Sequence, residues 1–173
     1  MHEGKSTVCK KLAKEKADSG ERVLLMDMDI RESIRLGQGN GIADYVRSRG
    51  RIGADIVKED NYEVLLPAKF KQRRFFHTTE IRFFEKLLMN LETQYDTAII
   101  DTPPMWCLPD TFFLCRYCDE IIVVRSGRVD TEKALQYFKE KGFQPSILDN
   151  IFTPPINKRR YGDKSPELQL HKQ

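Results

Sequence analysis

Three short stretches of this chain combine residue types that handle phosphate and metal. The first is Gly4-Lys5-Ser6-Thr7, directly ahead of a helical pattern. At a helix N-terminus the unpaired backbone N–H groups cradle phosphate, a lysine in the loop reaches the β- and γ-phosphates, and the following hydroxyl holds Mg²⁺. The second is Leu24-Leu25-Met26-Asp27-Met28-Asp29-Ile30-Arg31 and the third is Ala98-Ile99-Ile100-Asp101-Thr102-Pro103-Pro104. Each is an apolar run that ends in carboxylate. In an open α/β sheet the ligand sits at the carboxyl ends of the strands, so the Lys5 loop and Asp27, Asp29 and Asp101 can converge on one Mg²⁺-nucleotide.

Positioning those groups requires alternating strands and helices, and the sequence supplies them. Val8, Cys9, Leu12, Ala13 and Ala17 share one face of a helix predicted over 6–19, with Gly20 at its C-terminal cap. The run from Arg22 to Ile30 reads as a strand buried on both faces. A loop with Gly37, Gly39 and Gly41 leads into a short helix over 42–48, and 62–66 reads as a strand closed by Pro67. Ile81, Phe84, Leu87, Leu88 and Leu91 line a helix predicted over 79–94. Strands follow at 97–100 and 120–125, a helix runs from 130 to 142, and a weak last strand covers 145–152. This alternation is the mark of a mostly parallel sheet flanked by helices. The expected organisation is an ATP-binding domain over 1–157 and a loosely held basic tail over 158–173.

The composition agrees with a single globular unit. The 173 residues are 40% hydrophobic and 32% charged, with a mean hydropathy of −0.53. That is too apolar for a disordered chain and too interrupted for a membrane span. A net charge of +3 names no partner, and no nucleic acid is expected. Cys9, Cys107, Cys115 and Cys118 form no disulfide framework, which reads as a reducing cytoplasm. The Cys115-x-x-Cys118 pair sits beside Phe112, Phe113 and Leu114 and reads as core packing. His2, His77 and His171 have no ligand partner at metal spacing, and the basic run 69–74 reads as a surface loop.

Taken together, G-K-S-T, L-L-M-D-M-D-I-R and A-I-I-D-T-P-P resemble the Walker A, A′ and B motifs of the bacterial tyrosine kinases (BY-kinases). Those kinases are MinD/ParA-like P-loop ATPases of capsule and exopolysaccharide synthesis. Further landmarks follow in order: Gly41-Ile42-Ala43-Asp44-Tyr45-Val46, Leu65-Leu66-Pro67-Ala68, Tyr95-Asp96 and Val123-Val124-Arg125-Ser126-Gly127. The resemblance implies a P-loop fold that binds ATP and Mg²⁺. Gly4, Lys5, Ser6 and Thr7 would hold phosphate, with Ser6 and Asp101 as the metal residues. Asp27 would be the base that takes the proton of a tyrosine hydroxyl, with Asp29 beside it, so that Lys5, Asp27, Asp29 and Asp101 form the catalytic set. Arg31 would meet phosphate or an acid across a subunit contact, and Asn150 would read adenine.

The resemblance also implies autophosphorylation of tail tyrosines, for which Tyr161 is the candidate acceptor. The implied partners are a membrane activator (a polysaccharide co-polymerase) and further copies of the chain, and the implied location is the cytoplasm, peripheral at the inner face of the membrane. Three features depart from the family pattern. The sequence starts inside the phosphate loop, with His2 in place of a glycine, and the family's preceding strand is not in it; the loss of that strand would leave a neighbouring strand edge open. Glu32-Ser33 replaces the usual basic-proline continuation, and only one tyrosine stands in the tail. The expectation is therefore a tyrosine kinase whose turnover depends on an incomplete Walker A motif. The alternatives are a MinD/ParA-type partition or positioning ATPase and a truncated, non-catalytic regulator.

Overall fold

The computed structural model describes residues 4–30, 33–71, 80–104, 109–125, 131–149 and 170–171. They form two compact units, Ser6–Phe112 and Met1–Lys5 with Phe113–Gln173.

The first unit is built around a strand that leaves no face to solvent. Helix α1, Lys5–Asp18, ends at Gly20, whose φ of 96° suits glycine. The Gly20 amide donates to Ala17 O (3.0 Å) and the Glu21 amide to Lys16 O (3.3 Å), the paired bonds of a Schellman cap. Strand β1, Val23–Asp27, follows with all five residues buried. Ala13 of α1 packs with Val23, Leu25, Tyr62, Val64 and Ile99, and Cys9, Leu12 and Ala17 close over them. The face predicted from helical spacing is the face the helix buries.

The remaining elements of this unit are α2 (Ile42–Arg47), β2 (Ile56–Glu59), β3 (Tyr62–Leu65), α3 (Ile81–Glu92) and β4 (Thr97–Asp101). The sheet order is β2-β3-β1-β4. β1 is parallel to both neighbours, in register Leu25↔Val64 and Leu25↔Ile99, and β2 is antiparallel to β3. Sequence reading passed over β2. Its burial alternates between exposed and half-buried, so it has no apolar face that would reveal an edge strand. Among the described residues β4 has a strand on one side only.

The exit of β3 is held from the side. Ile42 and Ala43 donate their amides to Leu66 O (2.9 Å) and Pro67 O (3.1 Å). Asp44 Oδ2 accepts from the amides of Gly41 (2.8 Å) and Lys69 (2.6 Å). The approach is so close that a Cβ on Gly41 would lie 2.2 Å from the Pro67 carbonyl carbon. That explains one of the three glycines of the loop.

The second unit holds the end of α4 (Pro109–Cys115), from Phe113 on, then β5 (Ile122–Arg125), α5 (Thr131–Glu140), β6 (Ser146–Asp149) and β7 (Leu170–His171). The sheet order is β5-β6-β7, parallel then antiparallel. α5 buries Leu135 and Phe138 and ends at Gly142, with φ of 83°. Here too the cap is a Schellman pair, Phe143 N to Phe138 O (2.9 Å) and Gly142 N to Lys139 O (3.0 Å). The Phe138 and Phe143 rings meet edge to face at 6.2 Å across it. Of the expected tail, Leu170 and His171 pair with β6, and 158–169 lie outside the described residues. The mostly parallel, helix-flanked architecture expected from the alternation is the one observed. No helix among the described residues is long and apolar enough to cross a membrane.

Candidate active site

The two acidic strand ends meet. Asp27 closes β1 and Asp101 closes β4, and the two are register partners. The chain then crosses between them, with the Met28 amide donating to Asp101 O at 2.9 Å. Both carboxylates are buried, Asp27 to 5% exposure and Asp101 to 7%. Removal from water disfavours ionisation of Asp27, and the charge of Asp101 adds to the effect. Together they push its carboxyl up to about 6, against the opposing pull of Ser33, the Asp29 amide and Arg35.

The loop after β1 folds back onto Asp27. The Asp29 amide donates to Asp27 Oδ1 (3.2 Å) and the Ser33 hydroxyl donates to Oδ2. The Ser33 amide reaches back to Asp29 O (3.1 Å), and Ser33 Oγ accepts from the Arg35 amide (3.0 Å). Arg35 itself is buried. One guanidinium nitrogen, Nη1, lies 3.8 Å from Asp27 Oδ2, and the other, Nη2, pairs with Glu59 at the end of β2. Lys10 of α1 stands 3.9 Å from the same Glu59. Burial and the Arg35 charge lower the Lys10 ammonium, while Asp27 and Asp101 raise it. Lys10 of α1 therefore lies within electrostatic range of both carboxylates.

Gly4, Lys5, Ser6 and Thr7 stand at the start of α1. Gly4 has a φ of 85°, a conformation that favours glycine, and Lys5 is the first residue of α1. Ser6 and Thr7 are exposed in the first turn. Ser6 precedes Lys10 by four residues and so shares the helix face of the lysine that feels both aspartates. The donor set suits Mg²⁺, which takes hard oxygen ligands and needs only one or two from protein when phosphates and water supply the rest. Two adjacent buried carboxylates and a serine hydroxyl fit that requirement, and a divalent cation would offset the repulsion felt by Asp27. Arg31, Asn150 and Tyr161 lie outside the described residues.

Residues 3–135 match the AAA domain family (AAA_31). The chain belongs to this family. Such P-loop domains bind ATP, in keeping with the Gly4–Thr7 loop. Among relatives, the chain is 29% identical over 163 residues to tyrosine-protein kinase CpsD of Streptococcus agalactiae serotype III, covering 86% of this chain and 70% of that one. It is 28% identical over 179 residues to tyrosine-protein kinase wzc of Salmonella typhimurium, covering 96% of this chain and 25% of that one. Its fold is similar to the kinase domain of the Escherichia coli tyrosine kinase ETK, with a TM-score of 0.68 at 20% identity, over 93% of this chain and 68% of that one.

Within this AAA domain, sequence reading missed four residues around Asp27: Lys10, Ser33, Arg35 and Glu59. The available signal was Arg35, a lone cation between Ile34 and Leu36. The core-packing reading of the Cys115-x-x-Cys118 pair holds for Cys115, while Cys118 is half-buried and Cys107 lies outside the described residues. Cys115 is buried and its thiol is pushed up to about 11 by that burial and by Cys118. Burial raises the Cys118 thiol as well, and its Sγ donates to Leu114 O at 3.5 Å. Neither is a thiolate at neutral pH.

Proposed function

We propose that this domain transfers the γ-phosphoryl group of ATP to tyrosine hydroxyls in capsule or exopolysaccharide synthesis. The observation that carries the reading is Asp27, a buried carboxylate beside Asp101 that titrates near 6. A group of that pKa is ionised at neutral pH and still basic enough to accept a proton in a transition state. Relatives named tyrosine-protein kinases support the choice of acceptor.

In the transfer, the tyrosine oxygen forms a bond to the γ-phosphorus as the bond from that phosphorus to the β,γ-bridging oxygen breaks. The hydroxyl proton passes to Asp27, and ADP leaves with the bridging electron pair. The protein contributes position and charge. Gly4, Lys5, Ser6 and Thr7 bind the phosphates. Ser6 and Asp101 would hold Mg²⁺, which when bound would supply positive charge at the phosphate oxygens. Asp29 fixes Asp27 through its amide, and Asn150 reads adenine. Tyr161 of the tail is the acceptor in a neighbouring copy, and a membrane activator keeps the domain at the inner face of the membrane.

The test is phosphotyrosine formation by the 173-residue chain with Mg²⁺-ATP, beside Lys5→Met. Wild type forms phosphotyrosine and Lys5→Met loses it by at least about a hundredfold. At about a hundred times its Kd, Mg²⁺-ATP stabilises wild type by roughly 3 kcal/mol in thermal unfolding. A Lys5→Met variant as active as wild type overturns the assignment, and ATP hydrolysis without phosphotyrosine points to a switch ATPase instead.

A further inference from the structure

The geometry points to Arg35 as a further positioning residue for Asp27, one guanidinium nitrogen at ion-pair distance from the Asp27 carboxylate while Glu59 of the β2–β3 hairpin anchors the other. The inference rests on the phosphoryl-transfer reading and names a part of its machinery outside the Walker motifs.

Every element around Asp27 bears on the assignment. Asp101 comes from β4, Lys10 from α1, Asp29, Ser33 and Arg35 from the loop after β1, and Glu59 from β2. Arg35 alone is paired with acids on two different strands. Its side chain is 9% exposed, and a guanidinium is buried at that level only where carboxylates compensate its desolvation. Its planar fork presents two nitrogens in fixed relation, so an arginine held at Glu59 has little freedom left at Asp27.

The anchor is itself fixed. Lys14 of α1 pairs with Asp60 in the hairpin turn at 2.7 Å, Asn61 donates to Asp18, and Lys10 faces Glu59. Three contacts therefore tie the hairpin to the helix that begins at the phosphate loop. The chain of contacts runs from α1 to the hairpin, from Glu59 to Arg35, and from Arg35 to Asp27. Oxygen-to-phosphorus transfer needs the base within hydrogen-bond reach of the incoming hydroxyl. Without Arg35 the carboxylate would keep the Ser33 hydroxyl and the Asp29 amide but lose the guanidinium that faces Oδ2, and would be held in that position less firmly.

The experiment is a double-mutant cycle on the full chain, with ATP and a poly(Glu,Tyr) acceptor. It compares wild type, Asp27→Asn, Arg35→Met and the double variant. Arg35→Met is expected to lower kcat by roughly ten- to hundredfold while the KM for ATP stays within about twofold, because the phosphates are held elsewhere. In the Asp27→Asn background the same change has no further effect, since the group it positions is gone. Arg35→Lys recovers only part of kcat, because one ammonium cannot serve both carboxylates.

Losses that multiply in the double variant, or a KM for ATP that rises as kcat falls, overturn the assignment. If Arg35→Met shows no cooperative unfolding, Arg35→Lys and Glu59→Gln carry the comparison. Unchanged kcat in both overturns it, and lowered kcat that vanishes in the Asp27→Asn background supports it. If no variant, wild type included, forms Lys5-dependent phosphotyrosine, the kinase reading fails by itself. Urea unfolding of whichever cycle folds then decides the Arg35–Asp27 link: coupled losses support it and additive losses overturn it.

Discussion

The two ends of β1 each place an aspartate beside an arginine, and the outcomes are opposite. Before the strand, Asp96 accepts from the Arg22 amide (2.8 Å), Nε (3.1 Å) and Nη2 (2.7 Å), in the open. That grip holds its carboxyl down to about 2. At the other end Asp27 has Arg35 at 3.8 Å, a serine hydroxyl and a backbone amide, yet its carboxyl rises to about 6. Partners alone do not set the sign. Where water still solvates the ion, hydrogen bonds to the charged form dominate, and where the strand end is sealed, desolvation and the second carboxylate outweigh them. One end is a latch between neighbouring segments and the other is a poised base.

The widest separation between the ends lies in turnover. Asp27→Asn should lower phosphotyrosine formation by roughly 10²- to 10⁴-fold, the usual contribution of a general base. Asp96→Asn should leave it within about twofold in the same assay. A comparable loss from both would abolish the distinction.

Next comes stability against pH, with opposite signs. Asp27 binds its proton more tightly folded than unfolded, so its contribution is fully present below about 4 and is lost as pH rises through about 6. The unfolding free energy of wild type relative to Asp27→Asn should fall by about 2 kcal/mol between pH 4 and pH 7, as a carboxyl held at about 6 in the folded chain ionises. Asp96, depressed to about 2, gives stability above about 4 that is lost as pH falls toward 2. Wild type relative to Asp96→Asn should therefore weaken on the acid side, and urea titrations at stepped pH read both slopes. The smallest effect belongs to Arg22→Ala, an exposed pair whose loss should move the thermal midpoint less than either change at Asp27 or Arg35.

What the sequence revealed and what it hid divide along the same line. α1 and α5 were legible from apolar spacing and from Gly20 and Gly142, because helical period and a left-handed cap are local properties. β1 and β4 were legible as apolar runs, and Asp27 and Asp101 as the carboxylates at their tips. β2 was not, since an edge strand with alternating half-exposed residues lacks a buried face. The partners of Asp27 were hidden for a different reason. Arg35 and Glu59 are 24 residues apart and meet only because β2 pairs back onto β3. Motif spacing names the groups that react, whereas those that steer them are set by topology.

The strap between β3 and α2 carries one more consequence. A helix of six residues has too few internal bonds to persist by itself. Its first amides, those of Ile42 and Ala43, are committed to the carbonyls of Leu66 and Pro67. Fraying from that end would therefore release the strap as well, so helix start and strand exit open together or not at all. In hydrogen-exchange terms, residues 41–44 and 66–69, joined by these bonds, are expected to open as one foldon assembled from two distant stretches of chain.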